Sequence, residues 1–173
     1  MLIVILLFSL NLMAADRFEI DPVHSSIDFY VKHMVISTVP GEFREFSGVI
    51  YYDPNDITQM RAEVTIKTPS IFTDNPKRDK HLKSPDFFDV EKYPTITFVS
   101  KRVEKKGDGY VMVGDLTMHG VTKEVEIPFQ VNGTIVDWKG NTRLGMEGTL
   151  TLNRQDYGVS WSKTLDNGGL VVS

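Results

Sequence analysis

Apolar and polar residues alternate in twos along most of this chain. Ile27, Phe29, Val31 and His33 fall on one face of a segment, against Ser26, Asp28, Tyr30 and Lys32 on the other. The same period recurs at Ala62, Val64 and Ile66, and at Ile96 and Phe98. It returns at Met112, Gly114, Leu116 and Met118, at Val125, Ile127, Phe129 and Val131, and at Leu144, Met146, Leu150 and Leu152. A period of two with one polar face predicts antiparallel strands closing over a single interior. The segments Asp53-Pro54-Asn55-Asp56, Lys106-Gly107-Asp108-Gly109, His119-Gly120, Asn132-Gly133 and Lys139-Gly140-Asn141 read as turns between strands. Strands at this spacing, joined by short turns, make consecutive hairpins and therefore an all-β barrel or sandwich.

Two stretches depart from the period. Leu2 to Leu10 is almost continuously apolar and runs through Ala14-Ala15 into Asp16-Arg17. This is the layout of a signal peptide over residues 1–15, too short to cross a bilayer as a helix, although a buried first strand is the alternative. Residues 16–173 then form one domain, in the periplasm or secreted. The second stretch, residues 73–93, reads TDNPKRDKHLKSPDFFDVEKY. Thr73, Asp74 or Asn75 can cap a short helix with Pro76 at its first position, and Ser84-Pro85-Asp86 stops it. Lys77 to Lys83 is too polar for a core, whereas Phe87 and Phe88 demand burial. A long loop of this kind suits a lid over one end of a barrel. At the other terminus, Asn167-Gly168-Gly169 signals a turn and Leu170 to Val172 opens an apolar run that stops at Ser173. The last strand therefore reads as truncated, and an unpaired edge would invite a homodimer.

Composition narrows the chemistry. The chain has no cysteine, which removes disulfides, thiolate catalysis and thiolate metal sites. Its net charge of −4 argues against nucleic acid as a partner. The four histidines, His24, His33, His81 and His119, have no ligand-like spacing, so no metal is expected. Asp53 with Asp56, and Asp86 with Asp89, could be offered as paired carboxylates for glycoside hydrolysis. Both pairs sit where aspartate caps turns, without an apolar setting to raise one pKa. No catalytic residue and no cofactor are expected.

Several segments together resemble the YceI-like, polyisoprenoid-binding family. They are Asp21-Pro22-Val23-His24-Ser25-Ser26, Val31-Lys32-His33-Met34, Gly41-Glu42-Phe43, Phe46-Ser47-Gly48, and the run from Lys77 through Ser84 with Asp86-Phe87-Phe88-Asp89. Tyr93 to Phe98, Gly114 to Thr122, Asn153-Arg154 and Asp156-Tyr157-Gly158 complete the set in order along the chain. The resemblance implies an eight-stranded antiparallel up-and-down, lipocalin-like barrel, periplasmic in bacteria, binding an isoprenoid or another long-chain amphiphile. The family pattern continues past Gly168-Gly169 through one further strand.

An eight-stranded barrel has room for its own side chains or one slender guest, and such a guest needs apolar walls. The expected walls are Phe29, Val31, Phe43, Phe98, Met112, Ile127, Phe129 and Met146, each of which also reads as plain barrel core. His33 shares their inward parity, and Phe87 and Phe88 would cover the guest from the lid. Of the basic cluster Lys77, Arg78, Lys80, His81 and Lys83, Arg78 and His81 are the candidates for an anionic headgroup; a solvated helix face is the alternative. The function expected is carriage or sequestration of a polyisoprenoid, quinone precursor or fatty acyl compound. Two alternatives stand beside it. One is a lipid-modifying enzyme on the same barrel using His33. The other is a secreted stress or interaction protein whose Trp138 and Trp161 contact a partner.

Overall fold

A computed structural model describes residues 15–34, 36–163 and Val172. The expected signal peptide, except Ala15, and the expected C-terminal strand, except Val172, lie outside the described residues. Ten strands follow in chain order: β1 Asp16–Glu19, β2 Asp28–His33, β3 Ser37–Phe43, β4 Phe46–Tyr52, β5 Arg61–Lys67, β6 Ile71–Phe72, β7 Thr95–Lys106, β8 Gly109–Met118, β9 Val121–Val136 and β10 Thr142–Gly148. One α-helix, α1 Pro76–Lys83, stands between β6 and β7. Every strand pair is antiparallel, in the orders β1-β4-β5-β7-β8-β9-β10 and β2-β3-β6.

The two sheets are pieces of one curved surface. β3 and β4 are successive parts of one strand, as are β5 and β6, and each break is bridged by backbone hydrogen bonds. The Lys67 N–H donates to Glu45 O at 2.8 Å and the Arg44 N–H to Ser70 O at 3.3 Å. Across from them, the Ile20 N–H donates to Gly48 O and the Phe43 N–H to Ile27 O, so β1 and β2 also follow one line. The result is a nearly closed antiparallel barrel with one short helix. Among the described strands its seam lies between β10 and β2, where the bridge His33–Val172 is antiparallel and the Arg143 guanidinium reaches the Asp21 carboxylate at 3.4 Å.

Four of the expected turns are where the pattern put them. At His119-Gly120 both residues have positive φ (52° and 76°), closing the two-residue hairpin between Met118 and Val121. Asn132-Gly133 is the exception. β9 runs straight through it, and Asn132 is an extra residue between the pairs Val131–Met146 and Gly133–Gly145. The dipeptide makes a β-bulge, with Gly133 at φ 123°, because a bulge asks for the same positive φ as a turn.

The true turn comes later, after Val136. There Asp137 accepts the backbone N–H groups of Lys139 and Asn141, both at 2.9 Å, and the Arg143 Nε–H at 3.0 Å. These bonds, that from Asn141 foremost, hold the Asp137 carboxyl at about 2, below its ordinary 3.8. A depressed folded pKa means the turn's support is complete above the ordinary value and is lost as pH falls through 2. Carboxyl NMR should therefore show a midpoint near 2, with hairpin amide protection constant from neutral pH to about 4. A midpoint at the ordinary value would show that these bonds do not form.

The packing is lopsided, and this positions the site. Met60, Ala62, Ile96, Phe98, Val103, Met112, Leu116 and Met118 are buried, so the barrel is filled beneath β5, β7 and β8. The inward residues of β2, β9 and β10 are only half-buried. On the outer face of β8, Val111 and Val113 are also buried. Their cross-strand partners are Glu104, Arg102, Pro128 and Glu126. Ion pairs join Arg102 to Glu104 and Lys106 to Glu126, and the aliphatic stems of such pairs cover apolar neighbours.

Candidate functional site

The half-filled side of the barrel is a cavity of about 2270 Å³. Alternate residues of successive strands build its walls: Phe29 and Val31 from β2, Phe43 from β3, Val64 and Ile66 from β5, and Ile96 and Phe98 from β7. Leu116 and Met118 from β8, Ile127 from β9, and Leu144 and Met146 from β10 complete them. Three phenylalanines form a continuous line across it. Phe29 and Phe43 stand with ring centroids 5.6 Å apart, and Phe43 meets Phe88 edge-on at 6.0 Å. Gly41 makes this possible, since a Cβ there would come 2.2 Å from Phe29 Cζ. The Phe29 ring lies over its cross-strand partner's bare backbone.

One end of the cavity is covered by residues 73–93, as a lid. Asn75 caps α1 by accepting the Arg78 N–H at 3.0 Å, with Pro76 in the first turn. The helix is fastened from below by Asp79, which is buried although both its neighbours are cationic. Asp79 Oδ1 accepts both the Thr73 N–H at 2.9 Å and the Thr73 hydroxyl at 2.5 Å. Arg78 completes the clasp by donating to Thr73 Oγ1 at 2.7 Å and to the Thr73 carbonyl at 2.5 Å. Beyond the helix, Phe87 is buried against His81 (5.0 Å) and Trp161 (5.2 Å), and His81 Nε2 lies 2.8 Å from Asp86 Oδ2. Arg154, whose pKa is lowered by burial, donates to Val159 O at 2.6 Å and Val172 O at 2.9 Å. It ties the end of the chain to the same corner.

Eleven of the thirteen expected site residues touch the cavity: Phe29, Val31, His33, Phe43, Arg78, His81, Phe87, Phe88, Phe98, Ile127 and Met146. Met112 and Phe129 do not. Met112 is buried opposite Val103, and Phe129 packs on Tyr110 at 6.3 Å. Inward parity puts a side chain in the barrel, but Met112 falls where the interior is already full and half-buried Phe129 stacks on Tyr110 instead. The headgroup candidates Arg78 and His81 have partners within the lid. Both border the cavity, yet Arg78 is committed to Thr73 and His81 to Asp86, so they hold the lid. The exposed Lys77 and Lys80 are the cations left on this rim. Sequence reasoning passed over Val64, Ile66, Leu116, Met118 and Leu144, which carry the same inward parity, and over the Asp79 clasp, which leaves no periodic trace.

The remaining polar candidates have local partners. His24 Nδ1 lies 2.9 Å from Asp21, and His119 Nδ1 lies 3.2 Å from the Tyr157 carbonyl. Asp53 accepts the Asn55 N–H, and Asp56 accepts from the Thr58 hydroxyl and N–H, which lower its pKa. Among the described residues no three His, Asp or Glu side chains gather closely enough to hold a metal ion. No helix among them is long and apolar enough to cross a membrane.

Comparison with known proteins agrees with this architecture. A family model described as the YceI-like domain matches residues 18–173. A UPF0312 protein of Staphylococcus aureus is 38% identical over 157 residues, covering 90% of each chain. A UPF0312 protein of Pseudomonas syringae pv. tomato is 40% identical over 160 residues, covering 89% of this chain and 83% of its own. Among solved structures, a YCEI protein of Campylobacter jejuni is 34% identical, with TM-score 0.66 over 81% of this chain and 82% of its own. Burkholderia cenocepacia BcnA superimposes with TM-score 0.75 over 88% of this chain and 94% of its own, at 24% identity.

Proposed function

This chain belongs to the YceI-like family, and on that premise we propose that it binds a long-chain amphiphile in the barrel cavity and carries or sequesters it in the periplasm or outside the cell. The observation behind the reading is the wall itself: aromatic and aliphatic side chains on every strand bordering a cavity of about 2270 Å³. Burying a methylene contributes roughly 0.8 kcal/mol. Association costs about 4–15 kcal/mol, so a guest of a few carbons gains too little, whereas one of about twenty carbons exceeds the cost. The cavity therefore selects length and width, and polyprenyl, quinone-precursor and acyl tails are alike to it. An anionic or polar head would remain at the rim near Lys77 and Lys80.

Native mass spectrometry of the full-length protein tests the reading. A co-purifying mass of several hundred daltons, lost on organic extraction, is the expected result. So is uptake of dispersed cis-parinaric acid, followed by its fluorescence. A barrel that is empty as isolated and takes up neither this probe nor a polyprenyl phosphate would sink the proposal.

A further inference from the structure

We propose that the tip of the β9–β10 hairpin docks on a lipid surface and brings the margin of the cavity against it; this deepens the lipid-binding reading and rests on it. β9 pairs with β8 only as far as Phe129, opposite Tyr110. From Gln130 to Val136 its sole strand partner among the described residues is β10, so the hairpin continues as a two-stranded ribbon past the start of β8. Its inner face carries Val131, Leu144 and Met146 toward the core, but the far end of a ribbon standing in water should be polar on both faces. Here each face of that end shows one exposed aliphatic side chain. Ile135 and Val136 are adjacent, so they point to opposite faces, and they are 70% and 69% exposed; Trp138 at the turn is 89% exposed.

The charges around the tip fit shallow entry into a bilayer interface. Asp137 is the one carboxylate of the turn, and it is paired with Arg143. Lys139 holds its ammonium 4.6 Å over the Trp138 ring. An indole with an adjacent lysine that can reach the headgroups is the chemistry that settles at a membrane–water boundary. The tip is also continuous with the binding site, because Trp138, Asn141, Thr142 and Arg143 border the cavity. The second bond of Arg143, to Asp21, places the turn that bears exposed Val23 beside the hairpin. A guest leaving a bilayer at this point enters the barrel without crossing water.

The test uses the full-length protein and sucrose-loaded vesicles of phosphatidylcholine with one-quarter phosphatidylglycerol. Wild type should cosediment, and the combined substitutions Ile135→Thr and Val136→Thr, neither of which borders the cavity, should weaken this about tenfold or more. The variant should keep its thermal transition and its uptake of dispersed cis-parinaric acid without vesicles. Brominated lipid should quench the fluorescence of wild type more than that of Trp138→Phe. Equal cosedimentation of wild type and variant, or none by wild type, overturns the proposal. So does a dimer in sedimentation velocity that these substitutions dissociate while vesicle binding stays unchanged, which would make the tip a contact between copies. Failure of both proteins to take up the dispersed probe counts against the cavity reading alone, because cosedimentation is measured separately.

Discussion

Phe98→Asp should abolish uptake of any apolar guest and remove a large part of the barrel's stability. Phe98 is buried, touches the cavity, and faces Val64 on one neighbouring strand and Leu116 on the other. Its ring fits because residue 114 is glycine: a Cβ there would stand 2.7 Å from Phe98 Cζ. Removing a buried phenylalanine costs about 3–5 kcal/mol, and a polar group without a partner adds about 1–3 kcal/mol. Set against a usual total of about 5–15 kcal/mol, this places the variant near its unfolding threshold. The new carboxyl group, surrounded by apolar walls, should titrate above the ordinary carboxylate range. A raised folded pKa puts the deficit at pH values above the unfolded pKa, so thermal unfolding should show a smaller loss in acid than at neutrality. Phe98→Leu keeps the wall apolar and should cost only about 1–2 kcal/mol while binding persists. If the aspartate variant takes up cis-parinaric acid as wild type does, Phe98 is not part of the binding wall.

That residue was legible in the sequence, and so was most of the barrel. Alternation fixes which residues point inward, because a shift of one residue would expose the whole apolar set. The hairpin at His119-Gly120 and the helix opened by Asn75-Pro76 followed from short-range chemistry. What alternation cannot give is depth. Met112 and Ile127 share one inward face across adjacent strands, yet Ile127 touches the cavity and Met112 is buried beside its cross-strand partner Val103. The difference comes from how far the sheet curves and which end the lid closes, and these are properties of the assembled barrel. Asn132-Gly133 shows a related limit, since one dipeptide serves a turn or a bulge and only strand pairing across β10 decides.

The lid's cations could not be told apart in the sequence, for an electrostatic reason. A basic helix beside an apolar cavity invites a headgroup reading for each of its cations. The structure divides them by partner. Arg78 and His81 are engaged with Thr73 and Asp86, whereas Lys77 and Lys80 are exposed. The division depends on Asp79, whose burial could not be foreseen from a run in which every neighbour is polar. The lid is consequently a clasped element whose hold can be changed at one residue without touching the walls.

Asp79→Asn should release that clasp. The carboxylate oxygen Oδ1 accepts two hydrogen bonds from Thr73, and Arg78 donates to the same threonine. An amide keeps the shape but accepts less strongly, and its NH₂ cannot accept at all. Hydrogen bonds to a charged group contribute about 1.5–3 kcal/mol each, so a loss of about 2–4 kcal/mol is expected at the lid. Because α1 makes its main contacts with β6 rather than with the walls, the loss should stay local. Hydrogen exchange should speed up at the Thr73 amide and through α1, while the amides of β7 and β8 keep their protection. Each 1.4 kcal/mol is tenfold in rate or equilibrium, so a bound amphiphile should leave at least about tenfold faster, with its entry changed less. Thr73→Val removes the hydroxyl and leaves the carboxylate, and should give a smaller effect in the same direction. Uniform acceleration of exchange across the barrel, or an unchanged release rate, would show that residues 73–93 are a fixed end cap and not a gate.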